Sequence, residues 1–307
     1  PKGGGTAGGG GWGGAPPAAV APAGYAPALE PCRLLGETLD RHAVGWACHY
    51  LLVEPRDVAL FRRLEGPRRR VVDERALLPG WLRPFDDPSS LFRRRVWLGL
   101  RSLPLRGWHV QQLRRIAIAA HVAEDLLVYC DSDVVFLKPF DCAAFRRGGE
   151  TRLFRRDGAL AAPDLARHRA WSRNAGRALG IAAPEVSLND YITTLIAWHR
   201  PTVMRMCAHI EAVGGRGWVE TLGRMRDFSE CLLYGRYVDE GLAGAGHFHD
   251  AREFCRVHWT GQPLSDEGLR AFVAGMAPYQ AAIGLQSFIG TDLGRVQTAL
   301  AGMRMAE

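Results

Sequence analysis

Two carboxylates separated by one residue, Asp131 and Asp133, have the type and spacing best suited to chemistry in this sequence. They follow the apolar run LLVYC, residues 126–130, which is typical of a strand buried on both faces. Open parallel sheets bind ligands at the carboxyl ends of such strands. Carboxylate oxygens there suit Mn²⁺ or Mg²⁺, which proteins commonly share with substrate phosphates. A solvated turn, in which Asp is a frequent turn former, is the alternative interpretation.

Two further carboxylates are candidates for a general base that removes a proton from an acceptor hydroxyl. Glu230 begins an apolar helix that Ser229 can cap, so simple complementation of the helix dipole is the alternative role. Asp190 leads with Tyr191 into a strand that ends near Trp198. Its side chain could contact a sugar or an acceptor, or only close a turn.

The elements around these residues predict an α/β domain with a mostly parallel central sheet flanked by helices. The helix before the Asp pair begins near Trp108, with Val110, Leu113 and Ala117 on one face and Arg114 and Arg115 off it. Residues 1–17, with nine glycines, predict a disordered tail, and 18–307 form a single domain with a helical C-terminal part from about residue 265. We predict strands at 18–20, 49–53, 70–72, 126–130, 152–155, 191–198 and 256–259, and helices at 29–41, 56–64, 108–121, 164–179, 202–213 and 227–234.

Several segments together resemble the GT-A-type nucleotide-sugar glycosyltransferases, closest to uncharacterised bacterial glycosyltransferase-like proteins. They are GWHVQQL at 107–113, LLVYCDSDVVFLKPF at 126–140, FSECLLYG at 228–235 and VHWTG at 257–261. The resemblance covers roughly residues 18–265. It implies a Rossmann-like GT-A fold and transfer of a sugar from a nucleotide-diphosphate donor to a glycan, lipid or small-molecule acceptor.

The resemblance also implies roles for individual residues. Asp131, Asp133 and His258, the last within an H-x-x-G motif, would hold Mn²⁺ or Mg²⁺, and Asp131 could instead reach the ribose. Tyr25 would stack on the nucleotide base or pack in its Pro-rich loop, and Gln111 would bind substrate or face solvent. The sequence departs from the family at its first strand, which is only Ala-Ala-Val at 18–20 behind a glycine tract.

Other functions stay open on the sequence. Asp131, Asp133 and Val135 match the nucleophile motif of the haloacid-dehalogenase phosphatases, but the last lysine is Lys138 and that family needs one further downstream. A catalytically silent GT-A-like binding domain is another alternative. A rival metal cluster, at residues 247–250, contains two histidines and an aspartate, and a polar loop is its other interpretation.

The charge and the cysteines of the sequence indicate which binding partners and which cellular compartment to expect. The net charge is +7, but the arginine runs at 68–70 and 93–95 lack interleaved aromatics, so we predict no nucleic-acid binding. These runs suit a phosphate-bearing substrate and leave peripheral membrane contact open. Seven scattered cysteines without a C-x-x-C motif indicate free buried thiols, and with no apparent secretory signal they predict a cytoplasmic protein.

Overall fold

The computed structural model describes residues 16–21, 23–24, 28–286 and 289–290. The helices are α1 (Leu29–His42), α2 (Val58–Phe61), α3 (Glu74–Leu77), α4 (Gly107–Ala117), α5 (Ala166–Ala178), α6 (Arg200–Gly214), α7 (Trp218–Gly223), α8 (Glu230–Arg236) and α9 (Asp266–Ala274). The strands are β1 (Ala18–Val20), β2 (Ala23–Gly24), β3 (Ala43–Val44), β4 (Trp46–Val53), β5 (Arg69–Asp73), β6 (Arg83–Asp86), β7 (Arg95–Leu98), β8 (Leu105–Arg106), β9 (Leu126–Tyr129), β10 (Val134–Phe136), β11 (Phe140–Asp141), β12 (Arg146–Arg147), β13 (Glu150–Phe154), β14 (Ile196–His199), β15 (His247–Asp250), β16 (Cys255–His258) and β17 (Ala282–Leu285).

The central sheet has the strand order β14-β9-β1-β4-β2, and β5 also pairs with β4. All of these pairings are parallel except β14 with β9. The predicted α/β architecture with a mostly parallel sheet is therefore confirmed. The short first strand is genuine: β1 has three residues, all buried, and lies between β4 and β9. Its position at the centre of the sheet explains why so short a segment is wholly apolar.

The side chains of β9 alternate between two apolar layers, as the pleat of a strand requires. Leu127 and Tyr129 enter the core formed with α4, α6 and α8. Leu126 and Val128 enter the core formed with α1 and β10 on the other face. Burial on both faces is the reason why this strand reads as a continuous apolar run. It also fixes the place where the chain emerges at Asp131.

A second sheet, β10-β17-β16, forms directly after the Asp pair. Its central strand β17 pairs antiparallel with β10 and parallel with β16. The Leu285 amide donates to the Asp133 carbonyl at 3.2 Å, so the C-terminal segment supports the turn that holds the carboxylates. After Ser265 the described chain contains the expected helix, α9, and also this strand, which the sequence did not predict.

Two further differences from the sequence-based prediction affect the site. The strand predicted at 191–198 begins only at Ile196, because Leu195 has a φ of 64° and the Ile192 amide is taken by the Asp190 carboxylate at 3.1 Å. The antiparallel sheet β6-β7-β8 was not predicted. It is fixed to α4 through buried Glu74, whose carboxylate accepts from Trp97 Nε1 at 3.0 Å and Arg114 Nε at 2.9 Å.

A buried histidine in β4 makes the stability of this fold depend on pH. His49 is fully buried, and Arg69 Nε donates to its Nδ1 at 3.0 Å. Burial, aided by the positive charge of Arg69, lowers the pKa of His49 to about 3. In the unfolded chain a histidine takes up a proton below about pH 6.5. Folding therefore competes with protonation between these two values, and stability falls as the pH falls through that window.

We predict that His49→Asn makes the free energy of unfolding less dependent on pH between about 6.5 and 3. Loss of the buried histidine should reduce the slope by up to about 1.4 kcal/mol per pH unit, which corresponds to one proton. Urea unfolding at several pH values measures this slope. His121→Asn, at an exposed position, is the control and should keep the original slope. An unchanged slope in His49→Asn would show that His49 is not the group responsible.

Candidate active site

The Asp pair lies at the carboxyl end of β9, where the sequence placed it. A turn follows the strand, closed by a hydrogen bond of 3.2 Å from the Val134 amide to the Asp131 carbonyl. Asp131 is half-buried and Asp133 is buried. The turn therefore presents one carboxylate toward the surface and keeps the other inside, so the two cannot have the same environment.

A residue that the sequence analysis set aside, Arg115 of α4, is the centre of this site. Its Nη2 donates to Asp131 Oδ1 at 2.5 Å, and its Nη1 donates to Glu230 Oε1 at 2.9 Å. Thr194 Oγ1 donates to the second oxygen of Asp131 at 3.1 Å. The planar guanidinium can bridge two carboxylates because its donors point outward in a fixed fork. Arg115 thus brings together two residues 99 positions apart in the sequence.

Asp131 and Glu230 stabilise the positive charge of Arg115. Burial alone lowers the pKa of Arg115, but the negative charges of Asp131 and Glu230 outweigh it and raise the pKa above its ordinary value. The guanidinium is therefore always protonated. A permanent cation at the end of β9 is available to balance negative charge that develops in a reaction.

Neighbouring hydrogen bonds hold Arg115 in position. Tyr129 OH, at the end of β9, donates to the Arg115 carbonyl at 2.7 Å. The Glu230 amide, at the start of α8, donates to Gln112 Oε1 at 2.9 Å. Ser229 caps α8 as predicted, accepting from the Leu232 amide at 3.5 Å. Helix α4 is thus joined to β9 on one side and to the start of α8 on the other.

The two candidate bases differ in how their oxygens are used. Asp190 is buried, and its oxygens accept from Arg156 Nη2 at 2.6 Å and from the Ile192 amide at 3.1 Å. Glu230 is also buried, and Arg115 contacts its Oε1. Within the described part of the chain, no hydrogen bond reaches Glu230 Oε2. Glu230 therefore has an oxygen available for an acceptor hydroxyl, whereas both oxygens of Asp190 are engaged.

Close packing places Tyr191, the residue after Asp190, against the last turn of α8. A Cβ atom at Gly235 would lie 2.2 Å from Tyr191 Cγ, so the glycine that ends FSECLLYG allows this ring to pack against the helix. The Cys231 thiol follows Glu230 in the sequence, and the charged groups of the site affect its pKa. Burial raises the pKa of Cys231, and the charges of Glu230, Asp190 and Asp131 add to the increase. The negative charges of three sequence-predicted carboxylates therefore all act on this one thiol.

The predicted metal ligands are not assembled in the same way. His258 pairs in register with Leu285, which bonds Asp133, so two strand spacings, or about 10 Å, separate the backbones of His258 and Asp133. His258 Nε2 contacts the Gln262 carbonyl at 3.0 Å. Across the residues that the structure describes, no three His, Cys, Asp or Glu side chains form a group that could hold a metal ion.

A divalent cation therefore does not fit the site as it is arranged here. The donor chemistry is suitable, since carboxylates are hard oxygen ligands. However, both Asp131 oxygens are already bound, one of them by a cation, Arg115. The guanidinium and a metal ion would compete for the same carboxylate. Coordination by Asp131 would require that Arg115 move away.

The remaining candidates lie elsewhere. Tyr25 falls outside the described residues. Gln111 lies on α4 in the wall of a cavity of about 900 Å³ whose wall includes none of the carboxylates discussed above. In the rival cluster, His247 Nε2 contacts Tyr234 OH at 2.7 Å while His249 Nε2 contacts Asp239 Oδ1 at 2.7 Å. These two histidines have separate partners and do not form a metal site.

Comparison with known proteins identifies the family of this chain but not its activity. Residues 17–282 match a family of unknown function, DUF6492, and the chain belongs to that family. No curated protein matches the chain. A solved structure, an active-site mutant of LgtC, is similar over 93% of this chain and 95% of its own, with 13% sequence identity and a TM-score of 0.46. No helix among the described residues is long and apolar enough to cross a membrane.

We predict that Arg115→Met lowers the free energy of unfolding by about 3–5 kcal/mol, because it leaves buried Glu230 without its cation. Adding Glu230→Gln to this variant should recover part of the loss, since the second change removes the unpaired charge. Denaturant unfolding of the two single variants and the double variant measures the coupling. Arg33→Met, which removes two exposed pairs with Glu30 and Glu37, should cost about 0–1 kcal/mol. Strictly additive losses at Arg115 and Glu230 would contradict the bridge.

Proposed function

We propose that this protein is a glycosyltransferase that moves a sugar from a nucleotide-diphosphate donor to a glycan, lipid or small-molecule acceptor. The observation that carries the proposal is the pairing of Asp131 and Glu230 through Arg115 at the carboxyl end of β9. Ligands bind at this edge of open parallel sheets. The same segments carry the resemblance to the GT-A glycosyltransferases, which supports this reaction over other uses of a carboxylate cluster.

In the proposed reaction Glu230 is the general base. Its Oε2 atom would accept the proton of the acceptor hydroxyl as that oxygen attacks the anomeric carbon and the bond to the nucleoside diphosphate breaks. Arg115, through its contact with Oε1, holds the Glu230 carboxylate in place before attack. The same guanidinium would balance negative charge on the departing diphosphate. Asp190, with both oxygens engaged, is assigned to positioning the segment that leads to Tyr191.

Asp131 is the proposed contact to the ribose of the donor, with Thr194 and Arg115 fixing its orientation. A phosphatase reaction, in which Asp131 would be the nucleophile, is less well supported because both of its oxygens already accept hydrogen bonds. A catalytically silent binding domain predicts donor binding without turnover. The cytoplasmic location and the absence of nucleic-acid partners stay predictions from the sequence.

We predict that Glu230→Gln lowers turnover by roughly 10²–10⁴-fold while donor binding persists, because the amide cannot accept the proton. Release of nucleoside diphosphate from UDP-, GDP-, ADP- and dTDP-sugars measures turnover, and calorimetry measures donor binding. Glu267→Gln is the matched control, since Glu267 also lies in the first turn of a helix but is exposed. A well-folded Glu230→Gln protein with near-normal turnover would remove Glu230 from the mechanism. Donor binding without release by the wild type would favour the silent domain.

Dependence on Mn²⁺ or Mg²⁺ is a separate proposal that requires a rearranged site. Arg115 would leave Asp131, which would then be a metal ligand together with Asp133 and His258 instead of a contact to the ribose. When bound, the ion would neutralise charge on the leaving diphosphate. We predict that EDTA abolishes donor turnover, that Mn²⁺ restores it, and that Asp133→Asn weakens Mn²⁺-dependent donor binding without unfolding the protein. Full turnover in EDTA would show that the metal prediction is wrong and leave the role of Glu230 untouched.

A further inference from the structure

An arginine-lined cavity of about 900 Å³ opens beside the carboxyl end of β4. This volume is within the range of about 300–1,000 Å³ that is typical of ligand pockets. Among the residues that the structure describes, its wall contains two carboxylates, Glu54 and Asp87, and two tryptophans, Trp97 and Trp108. The arginines in the wall are Arg56, Arg93, Arg94, Arg95, Arg106 and Arg114.

The cavity is separate from the carboxylate cluster described above. None of Asp131, Asp133, Asp190 or Glu230 belongs to its wall. Helix α4 lies between the two sites: Arg114 contributes to the cavity, whereas the next residue, Arg115, contacts the carboxylates. The protein thus keeps a cationic cavity and a carboxylate-rich site on either side of one helix.

The nearby acidic groups neutralise only part of this wall. Arg56 and Arg95 pair with Glu54 and Asp86, Arg106 pairs with Asp87, and Arg114 pairs with Glu74. Arg93 and Arg94 are exposed and form no ion pair with any residue that the structure describes. Two guanidinium groups at the cavity are therefore available to a ligand. Exposure also means that removing them should not disturb the core.

The start of α4 adds to the positive potential. Gly107 and Trp108, in the first turn of this helix of 11 residues, belong to the cavity wall. The first turn contains no acidic residue, and no side chain caps it. The helix dipole and the free amide groups of the first turn therefore favour an anion at this end.

We propose that the arginine-lined cavity binds a phosphate-bearing ligand through its guanidinium groups, without a metal ion. Arginine binds phosphate oxygens through paired N–H donors, and adjacent guanidinium groups suit a group that carries two negative charges. The inference does not depend on the proposed transfer reaction, because binding is measured without turnover. If sugar transfer takes place at the carboxylate cluster, the phosphate of a ligand in this cavity would lie on the opposite side of α4 from the site of transfer.

Two exposed apolar residues at the edge of the cavity could distinguish a lipid phosphate from a soluble one. Leu91 and Phe92, between the wall residues Ser90 and Arg93, are 75% and 68% exposed. Both have positive φ values, 53° and 61°, which residues with side chains rarely adopt. Their side chains stand in solvent next to the free arginines. A lipid phosphate and a soluble phosphate share the chemistry of the cavity, and only the lipid would also use these apolar side chains.

The test compares two paired substitutions that remove equal charge. Arg93→Ala/Arg94→Ala removes the free arginines of the cavity, and Arg62→Ala/Arg63→Ala removes two exposed neighbouring arginines outside it. Calorimetry with inorganic pyrophosphate in EDTA should show binding by the wild type and the control. The cavity variant should bind at least roughly tenfold more weakly, since charge-assisted hydrogen bonds to phosphate are lost. Equal binding by both variants would overturn the proposal, as would absent pyrophosphate binding by the wild type together with no arginine-dependent binding to the vesicles described next.

Vesicles distinguish the two sources. Phosphatidylcholine vesicles with and without phosphatidic acid are sedimented with the wild type, the cavity variant and Leu91→Ser/Phe92→Ser. Sedimentation that needs phosphatidic acid, both arginines and the apolar pair supports the cavity with a lipid phosphate as its ligand. Pyrophosphate binding without sedimentation supports it with a soluble ligand. Sedimentation that the arginine substitutions do not reduce, together with absent pyrophosphate binding, contradicts it.

Discussion

The Arg115 guanidinium must face the carboxylates of Asp131 and Glu230, because an unpaired charge in a buried position costs several kcal/mol. This requirement determines how three elements meet. Helix α4 has to approach the end of β9, and the start of α8 has to approach α4. The seven-residue helix α8 is itself almost wholly buried, so its position cannot adjust without disturbing the core. The same ion pairs that would serve chemistry thus also fix the packing around them.

The sequence predicted what depends on local pattern. The apolar run 126–130 predicted both the buried strand and the position of Asp131, since a strand covered on both faces is built mainly from apolar residues. Arg115 was not predicted because the apolar pattern of α4 leaves it off the buried face, where an arginine is usually solvated. Strand β17 was missed because four residues, Ala-Ile-Gly-Leu, have no distinctive pattern, and its pairing depends on strands far away in the sequence. The position of His258 could not be derived from its motif, because strand order decides it.

Arginine serves in this protein as a structural residue as well as a surface charge. The sequence contains only two lysines among its 39 basic residues. Fully buried Arg236 donates to the carbonyls of Ser172, Glu185 and Pro184 at 2.7, 3.0 and 2.6 Å. Such a network needs several donors in one plane, which lysine does not provide. The abundance of arginine therefore also reflects buried contacts that connect loops and helices.

Because β17 supports the Asp turn, the turn depends on a segment that is synthesised much later than the turn itself. The turn at Asp131 and strand β10 leave the ribosome well before residues 282–285, yet β17 lies between β10 and β16 and its last amide bonds Asp133. During synthesis the edges of β10 and β16 stay unpaired until the later segment arrives. A nascent chain therefore has its large parallel sheet available before this small one. The Asp turn therefore gains its full set of backbone contacts only after residues 282–285 have been synthesised.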